Sequence, residues 1–254
     1  MACDVDGVVW LAGRPLDGAA DAVDLLGVAG FEVWFVTNNS SATHETLARR
    51  FRAAGIESDD RLVTSADAAA ALLAPGDSVL VGGEDGVREA VHARGCDPVP
   101  IEDALSGADR ERFDAVVVGI HRSFDYRGMA AMARHIRRGS RFVATNDDPT
   151  YPSPDGLLPG GGAIVAAVSS AAGASPEVAG KPHPAMSDLL RARLGGVAPA
   201  WVIGDRASTD GRFAAALGSR FAHVMSDVGE APGPGASVWA DSLLDVARSI
   251  VSLG

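Results

Sequence analysis

Cysteine is scarce in this chain: Cys3 and Cys96 are the two among 254 residues. Two thiols cannot build a disulfide framework, so a reducing cytoplasm is the expected compartment. Aromatics are few, at 6%. No apolar run approaches the length of a membrane span, and the start lacks the basic, apolar and small-residue segments of a secretory signal. Positive charge is also short: Lys and Arg total 22 against 33 Asp and Glu, a net −11. Such a surface repels nucleic-acid backbones, which argues against DNA or RNA as partner. It repels phosphorylated metabolites too. A phosphate site here must be locally positive, through a metal, a lysine or backbone N–H groups.

What is present is alternation. Short apolar runs (Cys3 to Val5, Val33 to Thr37, Ser78 to Val81, Ala115 to Ile120, Arg141 to Thr145, Trp201 to Ile203, Arg220 to Val224, Ser237 to Trp239) alternate with helical runs. The helices are expected at Ala19 to Ala29, Thr43 to Ala54 with Thr43 as cap, Ser65 as cap to Pro75, Glu84 to Ala93, Tyr126 to Arg138, Ala163 to Ala172, Ala185 to Leu194 and Asp210 to Leu217, with one more at the end. Strand–helix alternation predicts a mostly parallel sheet covered on both faces. Pro75-Gly76-Asp77 and Gly173 to Pro176 punctuate the chain and divide it into residues 1–75 with 176–254, and an intervening 76–175. A turn-rich stretch from Asp147 to Gly162 carries four prolines. With three residues before Asp4, the first strand is short for a central one: either pairing starts at the first residue, or residues are missing before it.

Four segments carry chemistry. In Asp4-Val5-Asp6-Gly7 two carboxylates at a strand end face the same way, because side chains alternate with period two. That pairing suits one carboxylate as nucleophile and the other as proton carrier. Thr37-Asn38-Asn39-Ser40 ends a strand in a hydroxyl and exposed N–H groups, a phosphate cradle or a plain polar turn. Gly180-Lys181-Pro182-His183-Pro184 holds a lysine on a stiff loop, fit to serve phosphate as a point charge or to stand as an ordinary surface lysine. Asp205 ends the strand Trp201 to Ile203, and Asp210 opens the next helix, as N-cap, functional group or both. Strand-tip carboxylates suit Mg²⁺. Gly82-Gly83-Glu84-Asp85-Gly86 lacks dinucleotide-loop spacing. Arg122, Tyr126 and Arg127 are expected to be solvated, and Trp10 walls the site or fills the core.

Taken in order, these segments resemble the haloacid dehalogenase-like superfamily. The likeness is nearest to the branch of p-nitrophenylphosphatase, phosphoglycolate, pyridoxal and bacterial nucleotide phosphatases. Thr145-Asn146-Asp147-Asp148 and Leu158-Pro159-Gly160-Gly161-Gly162-Ala163-Ile164-Val165 resemble two further segments of that branch. Gly211, Ser208 and His121 depart from its usual pattern. The resemblance implies a Rossmann-like α/β core with a smaller α/β cap inserted at 76–175, the cap also offering a surface for a homodimer. It implies hydrolysis of a small phosphorylated metabolite through an aspartyl-phosphate on Asp4, with a phosphotransferase or mutase, or a non-catalytic phospholigand-binding relative, as alternatives. Asp4, Asp6 and Lys181 would be catalytic. Thr37, Asn38, Asn39 and Lys181 would hold phosphate. Asp4, the Asp6 carbonyl and Asp205 would hold Mg²⁺, Asp210 would orient Lys181 or a metal-bound water, and Asp148 and His121 would face the substrate from the cap.

Overall fold

The computed structural model describes every residue except 59, 109, 154–155, 227–228, 234 and 254. Two parallel sheets organise it. The first has the strand order Ala236–Ala240, Arg220–Val224, Trp201–Gly204, Ala2–Cys3, Trp34–Thr37, Leu62–Thr64. The second runs Glu177–Val178, Arg141–Ala144, Ala115–Val118, Ser78–Gly82, Asp97–Pro100. Every neighbouring pair in both is parallel. The second sheet is an insertion in the chain path of the first, which gives an α/β fold with a Rossmann-like core and a smaller α/β unit set into it. Among the described residues no helix is long and apolar enough to cross a membrane.

Covered sheets need strands apolar along their whole length. Val79, Leu80 and Val81 are buried, as is every residue of Ala115–Val118. The helix Ser65–Ala71 joins the two halves. Its buried alanines Ala68, Ala69 and Ala70 share one apolar cluster with Val87 and Val91 on one side and with Met186 and Leu190 on the other. Alanine leaves little bulk between the helices, so the two sheets' helical layers approach closely.

The first strand is shorter than expected. Ala2 and Cys3 pair on both sides, with Val202–Ile203 and with Trp34–Phe35. The ladder gains one bond at each end: Trp34 N–H donates to the Met1 carbonyl and Asp4 N–H to the Ile203 carbonyl, both at 2.8 Å. Val5 leaves the strand because its carbonyl accepts from Val8, Val9 and Trp10 N–H at 3.3, 2.8 and 3.2 Å. Gly7, at φ +90°, makes that turn possible.

Other expectations shift for local reasons. The cap of the alanine-rich helix is Thr64, not Ser65: Thr64 and Asp67 form a reciprocal capping box. The turn-rich stretch contains an antiparallel hairpin, Thr150–Ser153 with Gly156–Pro159. The strands Leu62–Thr64 and Asp97–Pro100 were not anticipated, being short or proline-flanked. The regular helix after Asp205 starts at Arg212, because a wide turn over Ala207–Gly211 comes first. The second sheet also runs past Ser175, since Glu177–Val178 pairs with Val143–Ala144.

Candidate active site

The carboxyl ends of the central strands in the six-stranded sheet converge on one cavity of about 130 Å³. Asp4, Asp6, Thr37, Asn38, Lys181 and Asp205 all line it. Its position follows the rule that open parallel sheets bind at the carboxyl ends of their strands. The volume is below the roughly 300 Å³ of drug-sized pockets, so it suits a small ligand.

Lys181 is buried and stands between two carboxylates. Its ammonium donates to Asp4 Oδ1 at 2.5 Å and to Asp210 Oδ1 at 2.8 Å. Burial disfavours the ammonium, but Asp210 and Asp4 outweigh it and hold the pKa above the ordinary lysine value. Asp210 reaches this position across Gly204, where a Cβ would sit 2.2 Å from the Asp210 carboxyl carbon. Its other oxygen accepts from Arg206 N–H at 3.2 Å.

Asp4 loses solvation on burial, and Asp210 and Asp205 stand near it; together these outweigh Lys181 and raise its pKa. Burial likewise pushes Asp205 up to about 6, with Asp210 adding to the effect and Ser226 opposing it. Carboxylate atoms of Asp4, Asp205 and Asp210 lie within 4.8 Å of one another. Asp205 Oδ2 accepts from Ser226 Oγ at 2.6 Å, while its buried Oδ1 has no hydrogen-bond partner among the described residues. A Cβ on Gly7 would sit 2.2 Å from Asp205 Oδ2, so only glycine there lets the first loop approach this acid. Three clustered carboxylates, of which Asp4 and Asp205 have raised pKa values, and an unpartnered buried oxygen form a hard oxygen donor set, which fits a divalent cation such as Mg²⁺.

Asp6 is held from two sides. Its Oδ1 accepts from Trp10 Nε1 at 3.0 Å and its Oδ2 from Thr37 Oγ1 at 3.3 Å. Burial raises its pKa against these two bonds, which favours a carboxyl group able to carry a proton. Trp10 also packs on Phe51 with ring centroids 4.6 Å apart, so it serves the core and Asp6 together.

Some expected residues are placed otherwise. Asn39 Oδ1 accepts from Ser41 N–H and Oγ at 3.0 and 2.8 Å, and Asn39 N–H donates to Thr37 Oγ1 at 3.0 Å. It lines the cavity, and these bonds commit its N–H and Oδ1 to the loop while none of them uses its Nδ2. His121 does not line the cavity: it is buried and its Nε2 meets Glu102 Oε1 at 2.7 Å. Asp148 does line it, and burial raises its pKa against a bond from Asn38. Arg122, expected to be merely solvated, lines the cavity and lies over the Tyr151 ring at 5.9 Å. Arg206 lines it from the other side. The signal for Arg206 was its place directly after Asp205; nothing in the sequence distinguished Arg122 from other surface arginines.

Residues 1–97 match a family model described as haloacid dehalogenase-like hydrolase, and residues 178–245 match a second, HAD-hydrolase-like model. A D-glycerol 3-phosphate phosphatase of Mycobacterium tuberculosis is 39% identical over 233 residues, covering 90% of this chain and 63% of that protein. An acid sugar phosphatase of Staphylococcus aureus is 33% identical, covering 89% of this chain and 85% of the relative. A crystal structure of a glycerol phosphate phosphatase from M. tuberculosis in complex with magnesium superposes with a TM-score of 0.83 at 34% identity, covering 97% of this chain and 76% of that one. With both matched segments meeting in the six-stranded sheet around Asp4, Lys181 and Asp205, the chain belongs to the haloacid dehalogenase-like hydrolases.

Proposed function

We propose that this protein is a Mg²⁺-dependent phosphatase that hydrolyses a small phosphomonoester through an aspartyl-phosphate on Asp4. The observation that carries this reading is the Lys181 ammonium bound to Asp4 Oδ1 at 2.5 Å beside the unpartnered buried oxygen of Asp205. The phosphatase names of the relatives support the reaction class, and the magnesium complex of the mycobacterial enzyme supports the metal.

The metal would be held by the Asp4 and Asp205 carboxylates and the Asp6 main-chain carbonyl. It would supply positive charge against which an anionic nucleophile can meet a dianionic ester. A carboxylate oxygen of Asp4 attacks phosphorus as the bond to the ester oxygen breaks, and Asp6 gives its proton to the departing alkoxide. Asp6 then takes a proton from water as the water oxygen attacks phosphorus and releases Asp4. The Thr37 hydroxyl, turned away from Asp6, and the Asn38 N–H would hold the phosphoryl oxygens. Lys181 stays protonated and neutralises the transferring group, oriented by Asp210. In this reading residues 76–175 are the cap, which supplies Arg122, Asp148 and Tyr151 to the leaving-group side and excludes water. The modest cavity favours a small leaving group, of the size of a short polyol or acid.

The test is hydrolysis of p-nitrophenyl phosphate with magnesium and after chelation. Magnesium-dependent turnover that Asp4→Asn abolishes supports the reading. Turnover that survives either change refutes it.

A further inference from the structure

Asn38 follows directly on the strand Trp34–Thr37, where an asparagine is expected to hold phosphate. Its carboxamide is committed elsewhere. Oδ1 accepts from Lys181 N–H at 2.8 Å. Nδ2 donates to the Lys181 carbonyl at 3.0 Å and to Asp148 Oδ2 at 2.9 Å. A carboxamide nitrogen has two hydrogens, and both are used. The side chain therefore has no donor left for a phosphoryl oxygen.

The contact is sterically committed as well. A Cβ on Gly180 would lie 2.7 Å from both Asn38 Oδ1 and the Thr145 carbonyl, so glycine alone lets the lysine loop come this close. The Asn38 main-chain carbonyl accepts from Asn146 Nδ2 at 2.8 Å and from Ser65 Oγ at 2.7 Å. One residue thus meets the lysine loop, the segment after Arg141–Ala144 in the second sheet, and the helix that joins the two halves. Lysine has a long, flexible stem. Fixing both of its main-chain groups narrows where its ammonium can sit.

We propose that Asn38 is a positioning residue: its carboxamide ties the Lys181 main chain to Asp148 and so holds the Lys181 ammonium beside Asp4. The catalytic consequence rests on the phosphatase reading above; the positional claim does not. A displacement of about 1 Å in a catalytic group can cost on the order of 100-fold in rate. A lysine released from this clamp would lose turnover while the phosphate contacts of Thr37 and the backbone persist.

The test compares wild type with Asn38→Ala, Asn38→Asp, Asp148→Asn and the double variant Asn38→Asp/Asp148→Asn. For p-nitrophenyl phosphate with magnesium, Asn38→Ala should lower kcat by about 10- to 100-fold. KM should rise, and inhibition by inorganic phosphate weaken, no further than in Lys181→Met measured alongside, because Asn38→Ala acts on phosphate only through the lysine ammonium. Asn38→Asp keeps the acceptor for Lys181 N–H but puts an acceptor against Asp148 and the Lys181 carbonyl, so it should be at least as damaging as Asn38→Ala. The double variant returns a donor to position 148, and kcat should recover at least about tenfold over Asn38→Asp, a coupling that independent sites would not give. Such rescue cannot come from a general loss of folding. A crystal structure of Asn38→Ala or Asn38→Asp should have the Lys181 ammonium out of hydrogen-bond reach of Asp4. Phosphate inhibition weakened well beyond that of Lys181→Met would make Asn38 a direct ligand and overturn the proposal. So would unchanged kcat in Asn38→Ala, strictly additive variants, or an ammonium still bonded to Asp4 after substitution. If wild type does not turn over the ester at all, the phosphatase reading fails, and the crystallographic displacement still decides the role of Asn38.

Discussion

The two sheets of this protein share an architecture and differ in what stands at their carboxyl ends. Both are wholly parallel and covered by helices. The six-stranded sheet ends in acids and a hydroxyl: Asp4 after Ala2–Cys3, Thr37 closing Trp34–Thr37, Asp205 after Trp201–Gly204. The five-stranded sheet ends in glycine and amide: Gly82, Gly119, Asn146 and Gly180 close or follow its strands. Those residues bring backbone together. A Cβ on Gly119 would lie 2.9 Å from Ser40 Oγ and from Thr145 Oγ1, so the glycine is what lets this edge reach the loop after Thr37. The same fold unit thus makes a reactive edge once and a docking edge once, and a handful of residues at strand ends decides which.

The contrast breaks most sharply at Asp4. Asp4→Asn keeps the shape and removes the proposed nucleophile; phosphatase turnover should fall by about 10⁴-fold or more, with the circular dichroism spectrum unchanged. Lys181→Met comes next. It leaves Asp4 and Asp210 buried without their cation, and removing one partner of a buried pair costs about 3–5 kcal/mol. Urea unfolding should move by that amount at neutral pH. Magnesium sharpens the contrast in the opposite sense. At about 100 times its dissociation constant it should stabilise wild type by roughly 2.7 kcal/mol and Asp205→Asn far less, read as a thermal shift. On the docking edge the effects shrink. Thr145→Val removes a hydrogen bond to Ser40 Oγ, and about 1 kcal/mol of stability should go with it, with a smaller loss of turnover than any core variant.

The smallest effect belongs to His44 and Asp67, which link the first turns of the helices His44–Ala53 and Ser65–Ala71. Their contact is 2.9 Å, and the histidine is 42% exposed, so water screens the pair to about 0.5 kcal/mol. The hydrogen bond that His44 makes to Asp67 raises the His44 pKa above its ordinary value. A raised histidine stabilises most below its unfolded pKa and loses that contribution as pH rises through the folded pKa. The difference in melting temperature between wild type and His44→Gln should therefore be largest in mild acid and fade through mildly alkaline pH.

Much of the reactive edge was legible in the sequence. Asp4, Asp6, Lys181, Asp205 and Asp210 each sit where an apolar run gives way to a loop, and such junctions in a parallel sheet face one way. Their meeting in one cavity follows from strand order, which the alternation of strands and helices already constrained. The docking edge was far less legible. The antiparallel strands Thr150–Ser153 and Gly156–Pro159 lie in a proline-rich stretch that reads as turn, because Pro152 and Pro159 cannot donate to a ladder. Asn38 and Asn39 look alike on paper. One grips the lysine loop and the other folds back on Ser41, and only tertiary contact separates them. His121 and Arg122 exchanged expectations for the same reason: neighbours on a loop point to different sides, and the sequence does not say which side holds the cavity.

The central claim is that Asp4 takes the phosphoryl group with Asp6 as its proton carrier. Mass spectrometry of acid-quenched Asp6→Asn, mixed with p-nitrophenyl phosphate and magnesium, tests it most directly, because nitrophenolate departs without needing a proton while the water step does need Asp6. A phosphoryl group should accumulate on the peptide bearing Asp4 in step with one equivalent of nitrophenolate, and be absent when Asp4 is also replaced by Asn. Nitrophenolate released with that peptide unmodified would contradict the account.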